Sequence, residues 1–338
     1  MAHHFFIQKQ NICSRYLDGV SVFCCYAHFS RELQASAGRG STRRTYLLSF
    51  SLIAGPDEYN DVKKENNYVA IQCAKYPERL IGFSGVNPLK DYAIQEIDRC
   101  YDELKLPGLK LHFSNSDVDL AIPEHVEKTQ ELFSHCAEKG ISIVLHFRSE
   151  NPEFGKRDAE IFIHEVIAKT PGLKLDMVHL GGWGGFDQAT EEVISTFIEE
   201  FEKNKDLGSI VFDISGVLVT EKEEIPGILP RTTEEQGERI ADYIRALGIE
   251  NVVFGSDWIY CSPADYLSYV EELLPLSEEE MEQILSNDIT ERMFGSSEIR
   301  HPDLAELLNT LEEGVDYNAP LGTRVGQQLK GHVVRKQV

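Results

Sequence analysis

"GLKLHFSNSDVDLAIPEHVEKTQELFSHCAEKGISIVLHF", residues 108–147, decides the fold. It opens on an apolar run of strand length, GLKLHF, and closes on another, ISIVLHF, at 141–147. Between them PEHVEKTQELFSHCAEK has helical spacing and stops at Gly140, a residue suited to the left-handed turn that ends helices. Strand, helix and strand in this order make the two strands parallel, because a crossover returns the chain to run the same way. Lys110 and His112 stand two apart, so both face one side of their strand. His146 ends the second run.

The alternation continues outward on both sides. YLLSFSLI (46–53), RLIGFSGVNP (79–88), LKLDMVHL (173–180), SIVFDIS (209–215) and NVVFGSD (251–257) read as strands. The segments 59–77, 91–104, 156–172, 191–204, 235–248 and 278–295 read as helices; Val62, Tyr68, Val69 and Cys73 form an apolar stripe on the first, and Ile94, Ile97 and Tyr101 on the second. Seven strand-then-helix units follow residue 46 on this count. An open doubly wound sheet and a closed barrel both answer to that pattern. GVSVFCCYAHF (19–29) would add an eighth strand, placed first. The expected fold is therefore α/β, a (β/α)₈ TIM barrel with an atypical and, on one view, incomplete first strand.

Composition bounds the rest. The chain has 338 residues, 42% of them hydrophobic, enough for one large core. Its formal net charge of −23 argues against nucleic acid and anionic membranes as partners. No apolar run approaches the roughly 18 residues of a membrane span. The seven cysteines lack metal-type or disulfide spacing, which suggests reduced thiols and a cytoplasmic location. The first 45 residues are compositionally foreign: Lys9, Arg15, Arg31, Arg39, Arg43 and Arg44 stand against Asp18 and Glu32 alone. Three parts are expected: an atypical segment 1–45, a barrel 46–298, and a C-terminal helix and tail 299–338.

In such barrels chemistry sits where strands finish. Reading strand ends in order gives Lys110 and His112, then His146, then His179 in MVHLGG, and last Asp257 in VVFGSDW. Imidazole and carboxylate are the usual ligands of a zinc-like divalent ion, and a cation compensates a buried acid. For any one position a hydrogen-bonded core role is the commoner outcome; five together at the same strand ends favour a functional cluster. His125, His135 and His164 fall on helices and read as solvated or structural.

From residue 46 to 296 the chain resembles the amidohydrolase-related proteins, in the branch that includes decarboxylases of the aminocarboxymuconate semialdehyde type. The resemblance rests on ERLIGFSGVNP, GLKLHFSNSDVDL, ISIVLHFRSE, MVHLGGWGG, VVFGSDW and NDITERMFG, in that order. It implies a metal-dependent TIM barrel acting on small molecules. It further implies that His146 and Asp257 are metal ligands, that His179 binds metal or contacts the reacting group, and that Lys110 holds a position carboxylated in some members. One departure stands out: the family's H-x-H pair at the end of strand one has no counterpart, and the candidate first strand offers His28 alone. A misassigned gene start or splice product would explain this, as would a true variant with a reduced site.

The expected activity is metal-assisted hydrolysis of a small anionic substrate. A zinc ion held by His146, His179 and Asp257 would activate water, Asp257 would take its proton, and His179 would polarise the substrate. Lys110, His112 and Arg148 would bind the anion; charge pairing of Arg148 with an acidic loop is the plainer alternative. Decarboxylation at the same metal, and a non-catalytic barrel lacking the strand-one ligands, are the competing expectations. Homo-oligomerisation stays open.

Overall fold

The computed structural model describes residues 45–49, 51, 59–78, 80–203, 209–220, 230–257, 263–287, 289–295, 299 and 301–310. Seven strands form one sheet: β1 (Thr45–Leu48), β2 (Leu80–Gly85), β3 (Gly108–His112), β4 (Ser142–His146), β5 (Lys174–Met177), β6 (Ser209–Asp213) and β7 (Val252–Val253). They lie in sequence order, and every neighbouring pair is parallel. The connecting helices are α1 (Tyr59–Lys75), α2 (Ala93–Asp102), α3 (Pro123–Lys139), α4 (Lys156–Ile161), α5 (Gln188–Lys203), α6 (Glu234–Leu247), α7 (Pro263–Leu273), α8 (Glu278–Ser286), α9 (Thr290–Phe294) and α10 (Leu304–Thr310). The α/β barrel architecture expected from the sequence is present. The stretch 19–29, expected as a first strand, lies outside the described residues, as do nearly all of segment 1–45 and the tail beyond 310.

Alternation along the strands builds two cores. Leu109, Leu111, Ile143, Leu145, Leu175, Met177, Ile210 and Phe212 point outward and pack under the helices. Tyr46, Leu48, Ile81, Phe83, Val144, Val211 and Val253 point inward and share one cluster. That residues of β1 and β7 meet in a single inner cluster shows that the sheet curls upon itself. Met293 of α9 joins this cluster with Ile289, closing the lower end, and the Ser142 hydroxyl donates to the Met293 carbonyl. Gly108 makes room inside: a Cβ there would lie 2.2 Å from the Phe83 ring.

The register stacks the inner face in layers. Gly85, Lys110, Val144, Asp176 and Val211 are successive partners across β2 to β6. One layer higher, His112 pairs with His146, and Asp213 with Val253. Lys110 and Asp176 therefore lie one layer beneath the histidines, inside a barrel whose lower interior is apolar.

Several boundaries differ from the sequence expectation. LKLDMVHL ends as a strand at Met177, because His179 and Leu180 turn left-handed (φ 57° and 51°). NVVFGSD pairs over Val252 and Val253 only. The single helix expected over 156–172 is α4 followed by a π turn at Phe162–Val166 and a 3₁₀ turn at Ile167–Lys169. This widening brings Phe162, Ile163 and Val166 together into the core. The Thr170 hydroxyl caps the end by donating to the Val166 carbonyl at 2.8 Å. Helix α7 has no counterpart among the expected elements. Where capping chemistry is strong, the elements match the pattern: α3 begins with Pro123 and ends at Gly140 (φ 73°), and Thr233 with Gln236 boxes the start of α6.

Candidate active site

Five of the six expected site residues gather at the C-terminal ends of the strands. His112 and His146, register partners on β3 and β4, stack with ring centroids 3.7 Å apart and planes 10° from parallel. The His146 ring meets His179 edge-on at 5.3 Å. Lys110, one layer below, is buried, and its positive charge acts on all three imidazoles. Asp257 acts on His179 from the other side.

Burial pushes His112 well below the ordinary histidine range, helped by Lys110 and His179. Burial does the same to His146, with His112, His179 and Lys110 adding to it. His179 is lowered by burial, against the opposing pull of Asp257 and the Ser215 carbonyl. All three rings are therefore neutral at pH 7, the state in which imidazole has a lone pair to offer.

His179 does not close a strand; it is held in a strained turn. A left-handed L-residue costs roughly 1–2 kcal/mol, and two stand here in succession before Gly181. The restraint comes from β6. Asp213 Oδ1 accepts the backbone N–H of His179 at 3.0 Å, that of Ser215 at 2.8 Å and the Ser215 hydroxyl at 2.6 Å. His179 Nδ1 donates to the Ser215 carbonyl at 2.5 Å, which leaves Nε2 with the lone pair. Gly216 (φ +62°) completes the support. A Cβ there would lie 3.3 Å from His179 Nδ1 and 3.8 Å from Asp257 Oδ2, so ring and carboxylate flank one glycine. Asp257 itself has φ 50°, a second strained position at the site.

Arg148 is held elsewhere. Its guanidinium pairs with Asp187 at 3.1 Å and lies 5.0 Å above the Phe154 ring. The helical histidines have local partners: His125 accepts the Asp119 N–H, His135 meets Asp98, and His164 lies 4.0 Å from Glu200.

Two acids at the site escaped the sequence reading. Asp176 is fully buried inside the barrel with neither carboxylate oxygen hydrogen-bonded. Burial pushes it up to about 7, against the pull of Lys110. Asp213 is raised to about 7 by burial despite its three donors. The available signal was alternation: Asp176 sits between Leu175 and Met177, and the face opposite two outward apolar residues must point inward.

As a donor set the cluster suits a divalent ion. His146 has a buried Nδ1 without a hydrogen-bond partner, His179 has its Nε2 lone pair, and Asp257 supplies a carboxylate. Among the described residues, no three His, Cys, Asp or Glu side chains are already grouped to hold one. Local side-chain rotation would have to close the set.

A curled parallel α/β sheet with imidazoles, an ammonium and a carboxylate at the C-terminal strand ends is the architecture of barrel enzymes. The amidohydrolase family model matches residues 54–287, more than half of the chain, and the chain belongs to that family. It is an amidohydrolase-like enzyme. No curated protein matches it. Among solved structures, 5-carboxyvanillate decarboxylase from Sphingomonas paucimobilis is 16% identical over 73% of this chain and 77% of its own, with a TM-score of 0.50. A 2,6-dihydroxybenzoate decarboxylase from Rhizobium is 16% identical over 70% and 78%, with a TM-score of 0.46. A dihydroxybenzoic acid decarboxylase from Polaromonas, with bound manganese and 2-nitroresorcinol, is 16% identical over 69% and 75%, with a TM-score of 0.45. Likeness at this level is one of fold.

Proposed function

We propose that the chain is a metal-dependent decarboxylase of a small carboxylic acid. One observation carries the reading: a buried ammonium, Lys110, set beneath three neutral imidazoles in a chain of net charge −23. Such a cluster attracts one compact anion and repels polyanions. The fold shared with 5-carboxyvanillate decarboxylase supports the same choice. Free thiols at Cys73, Cys100 and Cys136 accord with a cytoplasmic site of action.

His146, His179 and Asp257 would hold the ion, with zinc and manganese both suited to such donors. A divalent cation bound there would screen the substrate's charge and polarise one of its oxygens. Lys110 would fix the carboxylate from below. When the bond to the carboxylate breaks, its electron pair stays on the substrate carbon, carbon dioxide leaves, and a proton must reach that carbon. Asp257 is the group proposed to carry it, because the Nδ1 proton of His179 is held by the Ser215 carbonyl and its Nε2 lone pair would face the ion. Hydrolysis, the first expectation from the sequence, becomes the second reading; it draws on the same pairing, with Asp257 taking a proton from water.

The test begins with chelated protein reloaded with manganese or zinc. It is offered 2,6-dihydroxybenzoate and 5-carboxyvanillate, and released carbon dioxide is followed. Metal-dependent release that vanishes in Asp257→Asn supports the proposal. Turnover of esters, lactones or amides without carbon dioxide would move the protein to the hydrolases. Absence of any metal uptake or metal-dependent stabilisation would leave a non-catalytic barrel.

A further inference from the structure

The partners of His112 fix where its proton lies, and they do so in the opposite sense to those of His179. The backbone N–H of Asn115 approaches His112 Nδ1 at 3.4 Å, and the Ser114 hydroxyl lies 3.1 Å from the same nitrogen. An amide N–H can only donate, so Nδ1 must present its lone pair. The ring is therefore neutral, because the charged form carries N–H on both nitrogens and has no lone pair at Nδ1. A neutral imidazole that accepts at Nδ1 carries its one proton on Nε2. At His179 the nitrogen Nδ1 faces a carbonyl oxygen, which can only accept, so there the proton is on Nδ1 and the lone pair on Nε2.

We infer that His112 is locked as the Nε2–H tautomer and donates a hydrogen bond to an anionic oxygen of the substrate, making it a specificity-determining residue rather than a metal ligand. The substrate half of this inference rests on the function proposed above. Its geometry comes from two constraints. The β3–β4 register sets the His112 Cβ level with that of His146, and the flat stack on His146 fixes the plane of the ring. The site then has two complementary edges: lone pairs at His146 and His179, and a fixed N–H at His112. An acid is matched to this pattern because one oxygen can face a cation while a second accepts the N–H. An amine or a neutral hydrocarbon leaves that donor unpaired in a half-buried place, which is how a site rejects the wrong ligand.

Long-range proton–nitrogen correlation spectra of the ¹⁵N-labelled, metal-free full chain read the tautomers directly, with His112→Gln and His179→Gln supplying assignments. The expected result is a bare Nδ1 and protonated Nε2 at His112, with the reverse at His179. A proton on Nδ1 of His112 overturns the inference. The second arm measures benzoate binding to the manganese-loaded chain. His112→Phe keeps a ring against His146 and loses the donor; it should weaken binding about 10- to 100-fold, the range of one hydrogen bond to a charged group. His112→Gln restores an N–H and should recover part of the loss. Equal affinity in wild type and His112→Phe, or a wild type that binds no benzoate, overturns the substrate half. The expected tautomers in a protein that releases no carbon dioxide from any acid would instead count against the decarboxylase reading alone.

Discussion

Replacing Asp176 by Asn should make the protein more stable the higher the pH, up to about neutrality. Asp176 lies inside the barrel, wholly buried, without a hydrogen bond to either carboxylate oxygen, and its pKa is raised from 3.8 to about 7. Between those values the unfolded chain has released the proton while the folded chain still binds it. Stability then falls with rising pH by about 1.4 kcal/mol per unit. Above pH 7 both states are ionised and the penalty stays constant. From about pH 5.5 to pH 7 the carboxyl therefore costs about 2 kcal/mol that an amide does not. The amide brings its own unpaired polar atoms, but their cost does not vary with pH. The three histidines of the site titrate with the opposite sign, and the difference between the two proteins removes the contribution they share. The quantity to measure is thus the difference in unfolding free energy between Asp176→Asn and wild type, from urea titrations at several pH values. It should climb by about 2 kcal/mol across that window and level off near pH 7. A difference independent of pH would refute the reasoning, since it would mean that Asp176 is already ionised in the fold.

Gly216→Ala places a Cβ 3.3 Å from His179 Nδ1 at φ +62° and should cost about 1–2 kcal/mol, read as a lowered urea midpoint; an unchanged midpoint would show that the His179 loop is not confined. Asp213→Ala removes the acceptor of three donors around His179 and should destabilise by about 2–4 kcal/mol, whereas Asp213→Asn, which keeps an acceptor oxygen, should lose less. Equal losses in the two Asp213 variants would contradict the support assigned to that oxygen.

The repeating order of strand and helix was legible in the chain because it depends on local properties. Apolar runs such as ISIVLHF, helical stripes such as Val62 with Val69 and Cys73, and stops at Gly140 and Gly248 each report on a few neighbouring residues. Parallel pairing and a barrel-like sheet follow from that order. The strand-end rule likewise brought Lys110, His112, His146, His179 and Asp257 to attention, since it needs only the point at which an apolar run stops.

Distant contacts decided the rest. The left-handed turn at His179 and Leu180 exists because Asp213, 34 residues later, accepts the His179 N–H. Arg148 looked like an anion binder by its spacing from His146, and its partner proved to be Asp187, 39 residues away. Asp176 and Asp213 were hidden in apolar runs that read as ordinary core strands; only the curl of the sheet turns them inward and removes them from water. The tautomers of His112 and His179 depend on whether an amide or a carbonyl meets Nδ1, a matter of ångströms that no spacing encodes. By itself the sequence determined most of the elements and at which end of the sheet the chemistry collects, because periodicity and chain reversal are local. Only the tertiary structure decided which of those polar groups are neutral, paired or strained, because desolvation and hydrogen bonding are set by whatever the fold brings alongside.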